Sequence, residues 1–466
     1  MTIPSLFLGA YRKLGASSPF EHLVLPAHHL VTHGVVVGTT GSGKSGLLTV
    51  MIEEALSNEV PVLVIDVKGD LPNLFLSFPT FAPAEFLPWI DGCIQPGDTR
   101  SVKEIVQAVA AERQQGLTAW GITEQQLRAY NDKIELRVIT PGATSGELLH
   151  MLSSLERCSE RWASDPEAAR CSLSAAVSLV LRLVGREPDP AKNRDHVLLM
   201  VLAERRLASG LPANLEALLQ DITCSPIDKV GALTIDSFIP KTERKALAAA
   251  LNSLLASPNF ANWRQGTSID LEAWFTPRNG RVPGVIVSVA HLDDEERALV
   301  LGVIMEELLT WVRGLSGTQR LRALVVFDEV YGFLPPHPAN PPAKRPLVAL
   351  MKQARAFGVG IVLATQNPMD LDYRALGNAG IWCIGRLQTD ADRARVLDGM
   401  AGSGNGSCIK SSDLGDIVKR LSPRWFLMRD AHSEDGLILL QPRWTMSYMR
   451  GPMTRLEIRR AREGAR

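Results

Sequence analysis

Residues 38–45 read Gly-Thr-Thr-Gly-Ser-Gly-Lys-Ser. Glycines that let a backbone close around an anion, then a lysine and a hydroxyl, are the groups needed to hold a nucleoside triphosphate. In this pattern the backbone from Gly38 through Thr39, Thr40, Gly41, Ser42 and Gly43 cradles the phosphates. Lys44 reaches the β/γ-phosphates, and the Ser45 hydroxyl completes a Mg²⁺ shell. The flanks fit that chemistry. Val35–Val37 is a short β-branched run suited to a buried strand, and helical character begins at Leu47. The glycine-rich turn therefore ends at a helix N-terminus, where unpaired N–H groups and the helix dipole favour phosphate. This context separates the motif from a chance match in an ordinary strand–helix turn.

A second stretch, Leu324-Val-Val-Phe-Asp-Glu329, is four apolar residues ending in two carboxylates, the Walker B form. On a buried strand it would deliver Asp328 and Glu329 to the sheet edge that also carries the P-loop. Asp328 would hold Mg²⁺, and Glu329 would orient and polarise the attacking water. Thr365-Gln366-Asn367 follows another apolar run, 361–364, so Gln366 is a candidate sensor of the γ-phosphate or lytic water. Leu315-Ser-Gly-Thr-Gln319 mimics the ABC-transporter signature, but only the eight residues 320–327 separate it from Asp328. It reads as a helix stop before a strand.

Further strands are expected at 61–66, 135–140, 285–289, 361–364 and 381–384, and the first 30 residues as an edge strand and lead-in. Helices are expected at 102–130 and 295–313, and at 148–155, 173–184, 197–207, 215–222 and 247–255 inside a mostly helical block. Strands alternating with helices predict an α/β fold with a parallel sheet. The expected division is a first core part at 1–145, a helical insertion at 146–270, a second core part at 271–440 and a basic tail at 441–466.

The bulk composition is neutral on partners. The 466 residues are 45% hydrophobic and 21% charged, with 50 Lys+Arg against 50 Asp+Glu. That describes a globular protein without a global charge field for nucleic acid, and leaves a local basic channel open. Six cysteines without CxxC spacing suggest neither a zinc ribbon nor a disulfide framework, and fit a reducing cytoplasm. No signal peptide or membrane span is expected.

Together, His33–Ser45, Val64-Ile-Asp-Val-Lys-Gly-Asp70, Phe327-Asp-Glu329, Lys352–Gly360 and Ala364-Thr-Gln-Asn-Pro368 resemble the HerA/FtsK superfamily, most closely bacterial HerA-like ATP-binding proteins. The resemblance implies a RecA-like (ASCE) fold with an extra strand between the P-loop and Walker B strands. It implies a homo-oligomer, a hexameric ring with double-stranded DNA in its channel, driven by ATP and Mg²⁺. It places Asp66 near the nucleotide and makes Arg355 the cation supplied to a neighbouring subunit's ATP, with Arg386 as the alternative. Guanidinium charge would then meet the γ-phosphate only when the ring closes.

One departure stands out: HerA carries a β-barrel before its P-loop, and 37 residues do not make one of ordinary size. Pairing with HerA's nuclease partner is therefore in doubt, and the helical insertion becomes the candidate for docking a nuclease or other effector. The expected activity is an ATP-hydrolysing DNA translocase. The alternatives are an ATP-dependent scaffold ring presenting an effector, and a conjugation or secretion motor. Lys344 and Arg345, in the proline-rich 333–346, could face DNA, although a rigid surface loop suits that composition better. Arg443, Arg450, Arg455, Arg459, Arg460, Arg462 and Arg466 could grip phosphates from a solvated helix or disordered tail.

Overall fold

The computed structural model describes residues 4–15, 19–91, 99–189, 192–368, 371–372, 376–377, 379–401 and 411–464. Cys93, Cys408 and Arg466 lie outside them. Among the described residues the fold is organised by an 11-stranded sheet. Its middle is parallel, in the spatial order Ile381–Ile384, Gly34–Val37, Val359–Thr365, Ala323–Asp328, Val62–Asp66, Val282–Ser288 and Ile134–Ile139. All residues of Gly34–Val37, Val62–Asp66, Val282–Ser288, Ala323–Asp328 and Val359–Thr365 are buried, as expected for strands covered on both faces. The sensor strand Val359–Thr365 lies between the P-loop strand and the Walker B strand, paired in parallel with both. This is the RecA-like arrangement.

Beyond Ile381–Ile384 the sheet continues antiparallel through Phe426–Asp430, Leu437–Pro442, Ser5–Lys13 and Glu21–Pro26. The expected edge strand is thus a pair of strands, and two others, Phe426–Asp430 and Leu437–Pro442, join it to the core. The segment between Ile134–Ile139 and its neighbour Val282–Ser288 is mostly helical, with Pro166–Leu183, Arg194–Ala208, Leu215–Thr223 and Lys241–Leu255 as its longer helices. Pro166–Leu183 packs on Asp294–Arg313, the helix that leads into the Walker B strand. Asp293 starts that helix with a capping box closed by Glu296. The helix expected at 148–155 is not formed as such. Leu149–His150 pairs with Thr267–Ser268, and only Ser153–Glu156 is helical.

Two expectations about exposed cations are corrected. Lys344 is buried at the start of the helix Lys344–Gln353; its Nζ donates to the Ala339 carbonyl and lies 3.4 Å from Asp372. It therefore faces no channel. Arg443 is 1% exposed and bridges Glu53 and Glu54 of the P-loop helix Lys44–Ser57 at 2.9 and 2.8 Å. Further along the basic segment, Arg455–Gly464 is a helix that buries Ile458 and Ala461.

Candidate nucleotide site

Val37 hands the chain to a turn anchored at its start. The Gly38 N–H donates to the Thr365 carbonyl, and Thr39 N–H to the Arg386 carbonyl at 3.0 Å. Gly43, the residue before the helix, has φ 98°, a left-handed value that suits glycine. An added Cβ there would also press on the Arg424 backbone at 3.1 Å. Helix Lys44–Ser57 follows, and its first N–H groups have no partner inside the helix. Lys44 is 6% exposed, and its ammonium donates to the Gly38 and Thr39 carbonyls at 2.5 and 3.1 Å. Burial, then the nearby Lys68 ammonium, lower its pKa to about 8. Ser45 is half-buried at the helix start.

Asp328 and Asp66 are register partners on adjacent parallel strands, and both are fully buried. Asp66 is held: it accepts from the Ser288 hydroxyl and the Gly69 N–H, each at 2.9 Å. Asp328 is not. Neither of its oxygens has a hydrogen-bond partner among the described residues. Burial pushes Asp66 up to about 7, with the Asp328 charge adding to the rise. Burial likewise pushes Asp328 up to about 6. A buried carboxylate with two orphaned oxygens beside a P-loop fits a hard divalent cation bound by oxygen.

This pair makes the fold sensitive to pH. The folded chain holds these protons up to about pH 6–7, whereas an unfolded aspartate releases them near 3.8. Between those values the folded state binds more protons, so stability falls as pH rises through the window. Asp328→Asn removes one of the two charges. In the absence of divalent cations the variant is expected to melt a few degrees above the parent at about pH 8, with the gap closing toward about pH 5. A thermal melting series over that range checks it, and a lower melting temperature for the variant at the high end contradicts it.

Glu329 follows Asp328 with φ 62°, a left-handed backbone unusual outside glycine and of the kind that collects at functional sites. Its carboxylate is fully engaged. Oε2 lies 2.7 Å from the Lys68 ammonium and accepts from the Gln366 side-chain amide at 2.7 Å, while Oε1 accepts from the Gln366 N–H at 3.2 Å. Burial raises this carboxyl, but Lys68 and Gln366 outweigh it and hold the pKa below the usual range. The Thr40 hydroxyl donates to the other end of the Gln366 amide. Gln366 thus ties the P-loop turn to Glu329. Sequence reasoning missed Lys68; the signal was a cation two residues beyond a strand-ending aspartate, in Asp66-Val-Lys68.

The two arginines separate. Arg386 follows Ile381–Ile384 and lies beside the P-loop of its own chain, with Nε buried and unpartnered among the described residues. That placement suits a role in cis rather than the expected trans one. Arg355 is exposed in the turn Ala354–Phe357 that precedes the sensor strand Val359–Thr365. Seven residues of strand at about 3.3 Å each put it roughly 23 Å from Gln366, on the opposite edge of the sheet. It does not join Lys44, Ser45, Asp66, Asp328, Glu329 and Gln366, which converge on one edge.

Fold and site define a RecA-like P-loop NTPase. The family model for the central domain of the helicase HerA matches residues 24–118, the stretch that carries the P-loop. Among solved structures, VirB4 of Thermoanaerobacter pseudethanolicus superposes with a TM-score of 0.54 at 12% identity, covering 95% of this chain and 97% of that one. The plasmid coupling protein TrwB, in complex with ADP and Mg²⁺, gives 0.49 at 14% identity over 92% and 89% of the two chains. The genome packaging NTPase B204 from Sulfolobus turreted icosahedral virus 2 matches 37% of this chain and 72% of its own, with a TM-score of 0.24 at 17% identity. No curated protein sequence matches the chain. No helix among the described residues is long and apolar enough to cross a membrane.

Proposed function

We propose that the chain is an ATP-hydrolysing DNA translocase of HerA type, acting as a ring of identical subunits. The observation that carries this reading is the two-edged layout. Lys44, Ser45, Asp328, Glu329 and Gln366 gather on one edge, while the exposed Arg355 stands on the other. A site with its full set of cations is then completed by the next copy, which favours a closed, head-to-tail ring, the hexamer being the expected form. The DNA part of the reading rests on the HerA central-domain match at residues 24–118.

In this reading the P-loop backbone and Lys44 bind and orient the triphosphate. Asp328 and the Ser45 hydroxyl would hold Mg²⁺, whose charge would neutralise that of the phosphates. Glu329 orients the attacking water, and for that one of its oxygens must be released. Lys68 is the partner with an alternative anion to turn to, a phosphate oxygen. Gln366 reports the state of the P-loop to Glu329 through Thr40.

The test is the effect of duplex DNA on ATP turnover. Duplex is expected to raise the hydrolysis rate at about 50 mM salt and to lose that effect steeply toward about 200 mM, as phosphate contacts do. Hydrolysis indifferent to DNA at the lower salt would leave an ATPase whose work lies elsewhere.

A further inference from the structure

A cleft of 510 Å³ opens directly beside the start of the P-loop helix, lined by Gly43, Ser45, Gly46, Arg424, Trp444 and Tyr448. Its size is that of a small-ligand pocket. Its position relative to the phosphates is fixed by the loop itself. Lys44 and Glu329 mark the γ end, because the P-loop lysine reaches the β/γ-phosphates; the backbone beyond it cradles the α end. A nucleotide therefore runs out over Ser45 and Gly46 and into this cleft.

The part of the lining around Trp444 is held in place from several directions. The guanidinium groups of Arg113 and Arg424 each lie 5.4 Å from the centre of the Trp444 ring system. Gly116 makes room for the indole: a Cβ there would fall 2.4 Å from Trp444 Cε3. The segment is pinned from below by Glu53, which is wholly buried and accepts from Arg443, from the Met446 and Ser447 N–H groups and from the Ser447 hydroxyl at 2.8–2.9 Å. Arg113 donates to the Thr445 carbonyl at 2.6 Å. Arg424 is tied to the P-loop by its own N–H, which donates to the Ser42 carbonyl at 2.9 Å, and it holds a left-handed backbone at φ 64°. A residue in strain, fastened to a phosphate loop and laid over an indole, is the kind of feature that persists where it contacts ligand. Nucleobases stack on aromatic faces and on arginine planes alike.

We infer that the Trp444–Arg424 layer is the nucleoside subsite, on which the base of the bound nucleoside triphosphate stacks. The inference rests on the P-loop reading above, and the experiment separates the two. Calorimetric titrations with Mg²⁺ compare the β,γ-imido analogue of ATP with inorganic tripolyphosphate, which has the phosphates and no nucleoside. Trp444→Ala is expected to weaken the analogue about 5- to 100-fold, the range for loss of one stacked base, and to leave tripolyphosphate binding unchanged. Trp444→Phe, which keeps an aromatic face, is expected to bind the analogue within about threefold of the parent. Lys44→Ala loses both ligands, and failure of the parent to bind either overturns the P-loop reading itself. Unchanged affinity for the analogue in Trp444→Ala, or an equal loss for both ligands, overturns the subsite alone. If Trp444→Ala does not fold, tryptophan emission decides. The analogue, and not tripolyphosphate, is expected to quench the parent; the same quench in Trp444→Phe overturns the subsite.

Discussion

Glu329→Gln is expected to lower the turnover number for ATP by about 10²- to 10⁴-fold, the usual contribution of a positioned base, while nucleotide still binds. Glutamine keeps the size of the side chain and its reach to Gln366 but cannot accept a proton from water. Single-turnover hydrolysis against nucleotide affinity checks both halves of the statement. Hydrolysis equal to the parent's would remove Glu329 from the reaction, whatever its φ of 62° and its bond to Lys68 suggest.

Arg355→Ala is expected to cost about 10³- to 10⁵-fold in turnover, the range for an arginine that meets transition-state charge from a neighbouring subunit. Its place roughly 23 Å from Gln366 rules out direct action on its own nucleotide, and this makes a mixing experiment decisive. Arg355→Ala and Glu329→Gln subunits are each inactive, yet at a mixed border the first supplies Glu329 and the second supplies Arg355. Activity should reappear when they are combined, at roughly a quarter of borders for random assembly. Arg386→Ala mixed with Glu329→Gln should stay inactive, because Arg386 lies beside the P-loop of its own chain and both lesions fall on nucleotide-holding subunits. Absence of rescue in the Arg355 mixture would return that residue to a structural role.

The core strands and the P-loop were legible because each is a local statement. Val35–Val37 and Leu324–Phe327 are short apolar runs ending in glycine or carboxylate, and their chemistry sits at their tips. What escaped is carried by distance. Nothing around Leu437–Pro442 says that it pairs with Ser5–Lys13. The basic count at 441–466 reads as solvated charge until Glu53, 390 residues away from Arg443, turns up as its partner. Trp444 likewise reads as a lone aromatic until Arg113 and Arg424 arrive from two other elements. Lys68 was visible but unassigned, since its importance comes from Glu329 and not from its own neighbours in sequence. The separation of Arg355 from Arg386 is a matter of which end of a strand each occupies, and motif spacing alone does not order two arginines across a sheet.

The pairing of Ser5–Lys13 with Leu437–Pro442 has a consequence for biosynthesis. Ser5–Lys13 finds that neighbour only after the 424 residues from 14 to 437 have been translated. At ordinary elongation rates that is a wait of roughly 20–85 s. Throughout it, Ser5–Lys13 has Glu21–Pro26 as its strand partner, and its other edge stays open to any passing strand. On the ribosome that edge has to stay shielded until Leu437–Pro442 has been made.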